Sequence, residues 1–362
     1  MKGTPSIKFA RVQPDGFSRE LRKRINSYLR EHNLKKQGGW QVYLKTLVWF
    51  TLYLGPYAIL LTTSLSVWGQ IAMVVLMGVA MCGIGLNTMH DANHGTYSDK
   101  GWVNKLAGAS LAFMGGNPFI WRTQHNVLHH SFTNIQNQDE DIKGRYVLKF
   151  CPEDKSRWFH KFQHLYSPIL YTLMTLIWAF HKDFVQLFRY RKMGLIERQK
   201  SSFRKELVKI IAIKIFYFGY MMVIPLVVIG IPFIQWLVGF LIMHATAGLL
   251  LSLVFQSAHV VEETTNPMPD ENGKLKDEWM VHQLRTTANF ATKSRWFNWF
   301  AGGLNFQIEH HLFPNISHIH YPALSRIVKE CTDEYNLPYY EFPTMLHAVN
   351  SHFKKLRIVG SN

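Results

Sequence analysis

Eight histidines in four stretches of this chain have the types and spacing of metal ligands. His90 and His94 stand four apart in His90-Asp91-Ala92-Asn93-His94, so they share one face of a helix. His125, His129 and His130 form a second cluster, His310 and His311 a third with Gln307 three residues before it, and His259 follows a long apolar run. Imidazole is the commonest metal ligand among side chains. A single such histidine is more often a hydrogen-bonded core or surface group, but eight in compact groups are not explained that way. Structural zinc takes about four ligands and catalytic zinc about three plus water, so eight nitrogens fit two metals, with Gln307 as a further donor. All-nitrogen ligation suits iron, zinc, copper or nickel, and spacing alone does not choose among them. Asp91, Asn93, Asp139, Asp141, Glu262 and Glu309 lie close by in sequence. They are expected to orient imidazoles by accepting the second ring N–H.

The elements that must position these groups are apolar helices. Four runs are long enough to cross a bilayer: about 44–64, 71–89, 208–230 and 232–255. They pair into two hairpins through short uncharged turns. Lys214, inside the third run, is expected to snorkel outward along its own stem. The charge between the hairpins is basic, including Arg189, Arg191, Lys192, Arg198, Lys200, Arg204 and Lys205. The positive-inside rule makes that side cytoplasmic. The run Ser167 to Phe180 is short for a span, and a crossing there would put the second and third clusters on opposite faces. It is therefore expected along the cytoplasmic interface, as is the Gly-containing run Trp102 to Ile120. The fold expected is an all-α integral membrane protein: four transmembrane helices in two hairpins, interfacial helices, and a cytoplasmic helical cap, residues 259–362, carrying a histidine-rich dimetal site. Residues 1–43 form a basic cytoplasmic N-terminal segment and 44–362 one membrane domain. Within the former, Arg19 to Arg30 reads as an amphipathic helix, suited either to an anionic membrane surface or to packing on the rest of the protein.

Composition narrows the classes further. A formal charge of +16 from 40 Lys and Arg against 24 Asp and Glu suits anionic lipid, an acidic partner or a phosphorylated substrate. No nucleic-acid module accompanies it. The three cysteines, Cys82, Cys151 and Cys331, are far apart and form no C-x-x-C, which argues against a disulfide framework or an iron–sulfur cluster. His244, midway along the fourth run, is an expensive polar group in a membrane, so it is either functional or part of a helix–helix hydrogen bond.

His-Asp-x-x-His, His-x-x-x-His-His and Gln-x-x-His-His, in this order around two pairs of spans, resemble the three histidine boxes of membrane fatty-acid desaturases. The box Gln307-Ile308-Glu309-His310-His311 is similar to that of the front-end (delta-5/delta-6, linoleoyl-CoA desaturase-like) subgroup. Trp121-Arg122-Thr123-Gln124 before the second box and Leu312-Phe313-Pro314 after the third also match. The resemblance implies a non-haem centre of two iron ions that uses O₂ and two electrons to place a cis double bond in a fatty acyl chain, held as acyl-CoA or acyl-lipid. It implies that His90, His94, His125, His129, His130, His310 and His311 are ligands, with His259 as the family's extra histidine. Two departures stand out. Residues 1–43 are too short for a fused cytochrome b5 domain and lack its His-Pro-Gly-Gly motif, so no bound haem or flavin is expected and electrons come from a separate donor, cytochrome b5 or ferredoxin with a reductase. Where some relatives carry an Asn that holds a water, this chain has Phe255. Termini and metal site are expected in the cytoplasm, of a bacterial membrane rather than the endoplasmic reticulum. The alternatives are a di-iron fatty acyl or sphingolipid hydroxylase and, outside enzymes, a zinc-containing membrane receptor.

Overall fold

The computed structural model describes residues 7–143 and 146–362. Residues 1–6 of the basic N-terminal segment therefore lie outside the described residues. The chain divides into two units. One comprises residues 39–126 and 166–253, the other residues up to 38, 127–165 and 254–362.

The first unit is built on four helices long and apolar enough to cross a membrane: Gly39–Thr62, Val67–His94, Phe203–Ile229 and Phe233–His259. Helices are the natural state for such runs, because every backbone polar group finds its partner inside the segment. Their starts are set by local chemistry. The Ser66 hydroxyl accepts from Gly69 N–H at 3.3 Å and the Ser202 hydroxyl from Lys205 N–H at 3.3 Å, each satisfying an otherwise orphaned donor. The third helix ends at Gly230, whose φ of 80° suits glycine. Small residues let the helices approach closely. A Cβ on Gly78 would lie 2.6 Å from the Met243 carbonyl oxygen, and one on Gly248 would lie 2.7 Å from that of Tyr171.

Residues 166–192, which hold the short apolar run Ser167 to Phe180, pack against the fourth helix. Gly248 packs on Tyr171 and Thr172, Thr175 bonds to His244, and the Phe180 ring lies 6.4 Å from that of Phe240. These partners sit 11 to 19 residues in from the end of the fourth helix at His259, about 16–28 Å along it at about 1.5 Å per residue. The segment then reaches the start of the third helix, with Phe188 and Phe203 rings 5.1 Å apart. It packs beside the middle of the spans. Polar side chains fasten it there, which an apolarity count does not register.

Lys214 departs from expectation. It does not snorkel: it is 8% exposed and its ammonium donates to the Asp183 carboxylate at 3.1 Å and to the Trp178 and Gly115 carbonyls at 2.9 and 2.5 Å. Asp183 accepts further bonds from Trp178 Nε1 at 3.0 Å and Asn117 N–H at 3.1 Å. A paired, hydrogen-bonded buried charge replaces the long reach to water.

The second unit has a core into which helix Phe17–Glu31 inserts Phe17, Leu21, Ile25 and Leu29 beside Leu284, Ile308, Leu324 and Val328. Packing thus takes the apolar face that a membrane surface would have needed. Arg24 on its outer side makes a bidentate pair with Glu334 at 2.7 and 2.6 Å. A short parallel sheet pairs Ala288–Phe290 with Tyr340–Phe342, Ala288 opposite Tyr340. It carries one edge of the third-box helix Gln307–Leu312, whose Ile308 N–H donates to Asn289 Oδ1 at 2.8 Å.

Candidate metal centre

The backbone changes pitch where the histidines begin. The second membrane helix runs as α-helix to Gly83, widens into a π-helix over Ile84–Met89, and returns to α-helix at His90–His94. A second π-helix, Thr123–His129, carries the second box. A π-turn rotates the residues after it relative to those before, and such turns gather at functional sites.

In the membrane unit, one nitrogen from each of His90, His94 and His125 lies within 4.8 Å of the other two. Their ring centroids are 4.7 Å (His90–His94), 5.3 Å (His90–His125) and 5.3 Å (His94–His125) apart. Trp121 stacks on His125 at 4.5 Å and meets His90 and His94 edge-on at 5.6 and 5.8 Å. An indole against all three imidazoles restricts their ring planes.

The other unit gathers five. Nitrogens of His129, His259 and His311 lie within 4.8 Å of one another, as do those of His130, His310 and His311. Four of these rings have a hydrogen-bond partner on Nδ1. Asp139 takes His129 at 2.9 Å, the Thr286 carbonyl takes His259 at 3.2 Å, Gln283 Oε1 takes His311 at 2.8 Å, and the Tyr321 hydroxyl stands 3.2 Å from His310. Holding the proton on Nδ1 turns the Nε2 lone pair inward, which is how proteins prepare histidine for a metal. His259 makes the test of fit sharpest. Its ring is 3% exposed, and its Nε2 is buried with no hydrogen-bond partner among the described residues. A buried lone pair left so is costly unless something ligates it. The residues present fit a transition metal.

The other expected site residues are placed as follows. Asp139 lies on His129; Asp141 is next, 3.8 Å from the same nitrogen. Asp91 has its carboxylate 4.0 Å from His90 Nδ1. Asn93 serves the backbone and Arg122 instead, donating to Met89 and Gly108 carbonyls and accepting from Arg122 at 2.8 Å. Glu262 is exposed and faces Lys354 at 3.7 Å. Glu309 is turned away from the imidazoles toward Asn289 at 2.8 Å and Tyr339 at 3.0 Å, and burial pushes its carboxyl up to about 7. Nearness in sequence misleads here because neighbouring residues on a helix point to different faces. Gln307 is buried, its Nε2 without a partner among the described residues. Phe255 sits one turn before His259 on the same helix.

Sequence reasoning did not find Gln283, Thr286 and Tyr321. The first two lie on helix Trp279–Thr286, which also carries His282. Burial holds the His282 imidazole down at about 4, and its Nε2 donates to the Thr133 carbonyl at 2.8 Å. The polar residues of this helix gave the only signal: they are too many for a half-buried helix unless they face other polar groups.

Residues 66–343 match the fatty acid desaturase family model. The chain belongs to the fatty acid desaturase family. It is 35% identical to an sn-1 linoleoyl-lipid 6-desaturase of Synechocystis sp. over 98% of both chains. It is 31% identical to an enzyme of the same description from Arthrospira platensis, over 96% of this chain and 93% of that one. It is 33% identical to an acyl-lipid (8-3)-desaturase of Physcomitrium patens, over 98% of this chain and 74% of the relative. The chain is thus a fatty acyl desaturase of front-end type, an oxidoreductase with four helices long and apolar enough to cross a membrane and histidine clusters that could hold a metal. Family membership displaces the zinc-receptor alternative.

Proposed function

We propose that this desaturase places a cis double bond in an acyl chain esterified in a membrane lipid, rather than in an acyl-CoA. The observation that carries the choice is the similarity along nearly the whole chain to two linoleoyl-lipid desaturases. In balance, two hydrogens leave adjacent carbons, two electrons and two protons arrive from a donor, and O₂ leaves as two waters. Unactivated methylenes have no acidic proton, so acid–base catalysis cannot break their C–H bonds and redox chemistry at a metal is required.

We assign two iron ions to His90, His94, His125, His129, His130, His259, His310 and His311. When bound, they supply the oxidising power that O₂ and two electrons generate. Every other task belongs to the chain. Asp139, Gln283, the Thr286 carbonyl and Tyr321 hold protons on Nδ1 and keep the Nε2 lone pairs aimed inward. Trp121 packs on the first trio and steadies its rings. The apolar helices hold the acyl chain dry and still, so that two adjacent C–H bonds are presented together. Residues 44–362 act as one catalytic domain in this reading, with termini and site cytoplasmic. A separate acidic carrier, cytochrome b5 or ferredoxin, meets the basic surface and delivers electrons. Gln307, buried beside the third-box histidines, would add a further donor to the metal set.

Expression in a desaturase-negative host fed linoleate should yield a new fatty acid, located by gas chromatography with mass spectrometry. It should appear first in lipid rather than in the acyl-CoA pool. A product rising first in acyl-CoA overturns the lipid assignment, and a hydroxylated product overturns desaturation.

A further inference from the structure

Gln283 is buried and belongs to none of the three histidine boxes. Its amide touches three groups. Nε2 is 3.3 Å from the His130 carbonyl oxygen; Oε1 is 2.9 Å from the Thr133 hydroxyl and 2.8 Å from His311 Nδ1. Amide orientation is normally ambiguous, because oxygen and nitrogen look alike. Here chemistry decides it. A backbone carbonyl only accepts, so the amide face toward His130 must be the NH₂. The oxygen then faces His311, and His311 Nδ1 must carry the proton. Trp279 Nε1 also donates to the His130 carbonyl, at 3.1 Å, so that oxygen is bracketed by donors.

We propose that Gln283 is a positioning residue for the metal centre: its amide oxygen sets the tautomer of His311. His311 belongs to both nitrogen groups of this unit, the one with His129 and His259 and the one with His130 and His310. A wrong tautomer there presents an N–H where the ion that His311 serves, in either group, needs a lone pair. One amide on helix Trp279–Thr286 therefore governs the position that the two groups share. The inference rests on the reading that these imidazoles bind metal.

Co(II) titration of the chelator-stripped, full-length protein in detergent tests it, read by ligand-field absorption. Gln283→Leu keeps the volume and removes the acceptor; it should weaken Co(II) binding about 10- to 100-fold. Gln283→Glu keeps an acceptor on His311 and should bind within about threefold of wild type, a rescue that packing alone does not predict. Gln283→Asn, one methylene too short to reach, should bind as weakly as Gln283→Leu and serves if Leu fails to fold, as judged by circular dichroism. Wild-type affinity in Gln283→Leu or Gln283→Asn, or equal weakness in Gln283→Glu, overturns the assignment while leaving the metal reading intact. Absence of Co(II) binding by the wild type overturns both.

Discussion

His244 and His259 lie on one helix, Phe233–His259, and both are almost wholly buried. Their surroundings differ in one respect. His244 has a partner on each nitrogen: the Tyr217 hydroxyl 2.6 Å from Nε2 and the Thr175 hydroxyl 3.0 Å from Nδ1. His259 has one on Nδ1 and, among the described residues, none on Nε2. A satisfied buried histidine is part of the packing; one held at a single nitrogen with the other lone pair aimed inward is prepared to ligate. The same criterion sorts Lys214 and Asp183, whose polar atoms are engaged by Trp178, Gly115, Asn117 and each other, with the structural group. On this helix buried histidines are thus of two kinds, and the partner on Nε2 separates them.

The largest effect should come from breaking the open member. His259→Gln keeps hydrogen bonding but offers no imidazole nitrogen. We expect it to reach the membrane and lose at least about 100-fold in desaturation, since an amide oxygen is a weaker and differently placed donor than the imidazole nitrogen it replaces. The exposed His347→Ala should stay at wild-type rate, and product chromatography per unit of membrane protein measures both. Retention of activity by His259→Gln would return that histidine to the packing class.

Next comes a stability effect within the closed class. Lys214→Ala leaves Asp183, fully buried, without its cation and should cost about 3–5 kcal/mol. The paired change Lys214→Met with Asp183→Leu should recover most of this, because removing both charges removes the desolvation cost as well. Thermal unfolding in detergent reads the difference. A single variant as stable as wild type would mean that the pair is not what holds residues 166–192 against the spans.

The smallest effect sharpens the comparison most. His244→Phe strips one partner each from Tyr217 and Thr175 and should cost about 1–3 kcal/mol of stability. Activity per folded molecule should stay within about twofold of wild type. A selective loss of rate with stability intact would move His244 into the functional class and break the rule.

Much of this was legible in the sequence, because long uncharged runs and histidine spacing are local patterns. The four helices fall where the runs do, but extend further: to Gly39, through His94, from Phe203 and to His259. Histidines and flanking charged residues continue a helix as well as apolar ones do, so hydropathy marks the bilayer-facing part and not the helix end. Partners distant in sequence were not legible. Lys214 and Asp183 are 31 residues apart, and His311 and Gln283 28 apart, without a shared motif. The packing partners of residues 166–192 were not legible for the same reason, since Thr175 and Asp183 are ordinary until His244 and Lys214 stand opposite them.

Iron content is the decisive quantity for the division between open and closed histidines. Protein purified from iron-replete cells and analysed by element should hold about two iron ions per chain in the wild type. His244→Gln should hold the same, and His259→Gln clearly fewer. One zinc and no iron in the wild type, or equal iron in His259→Gln and wild type, would contradict the assignment of these histidines.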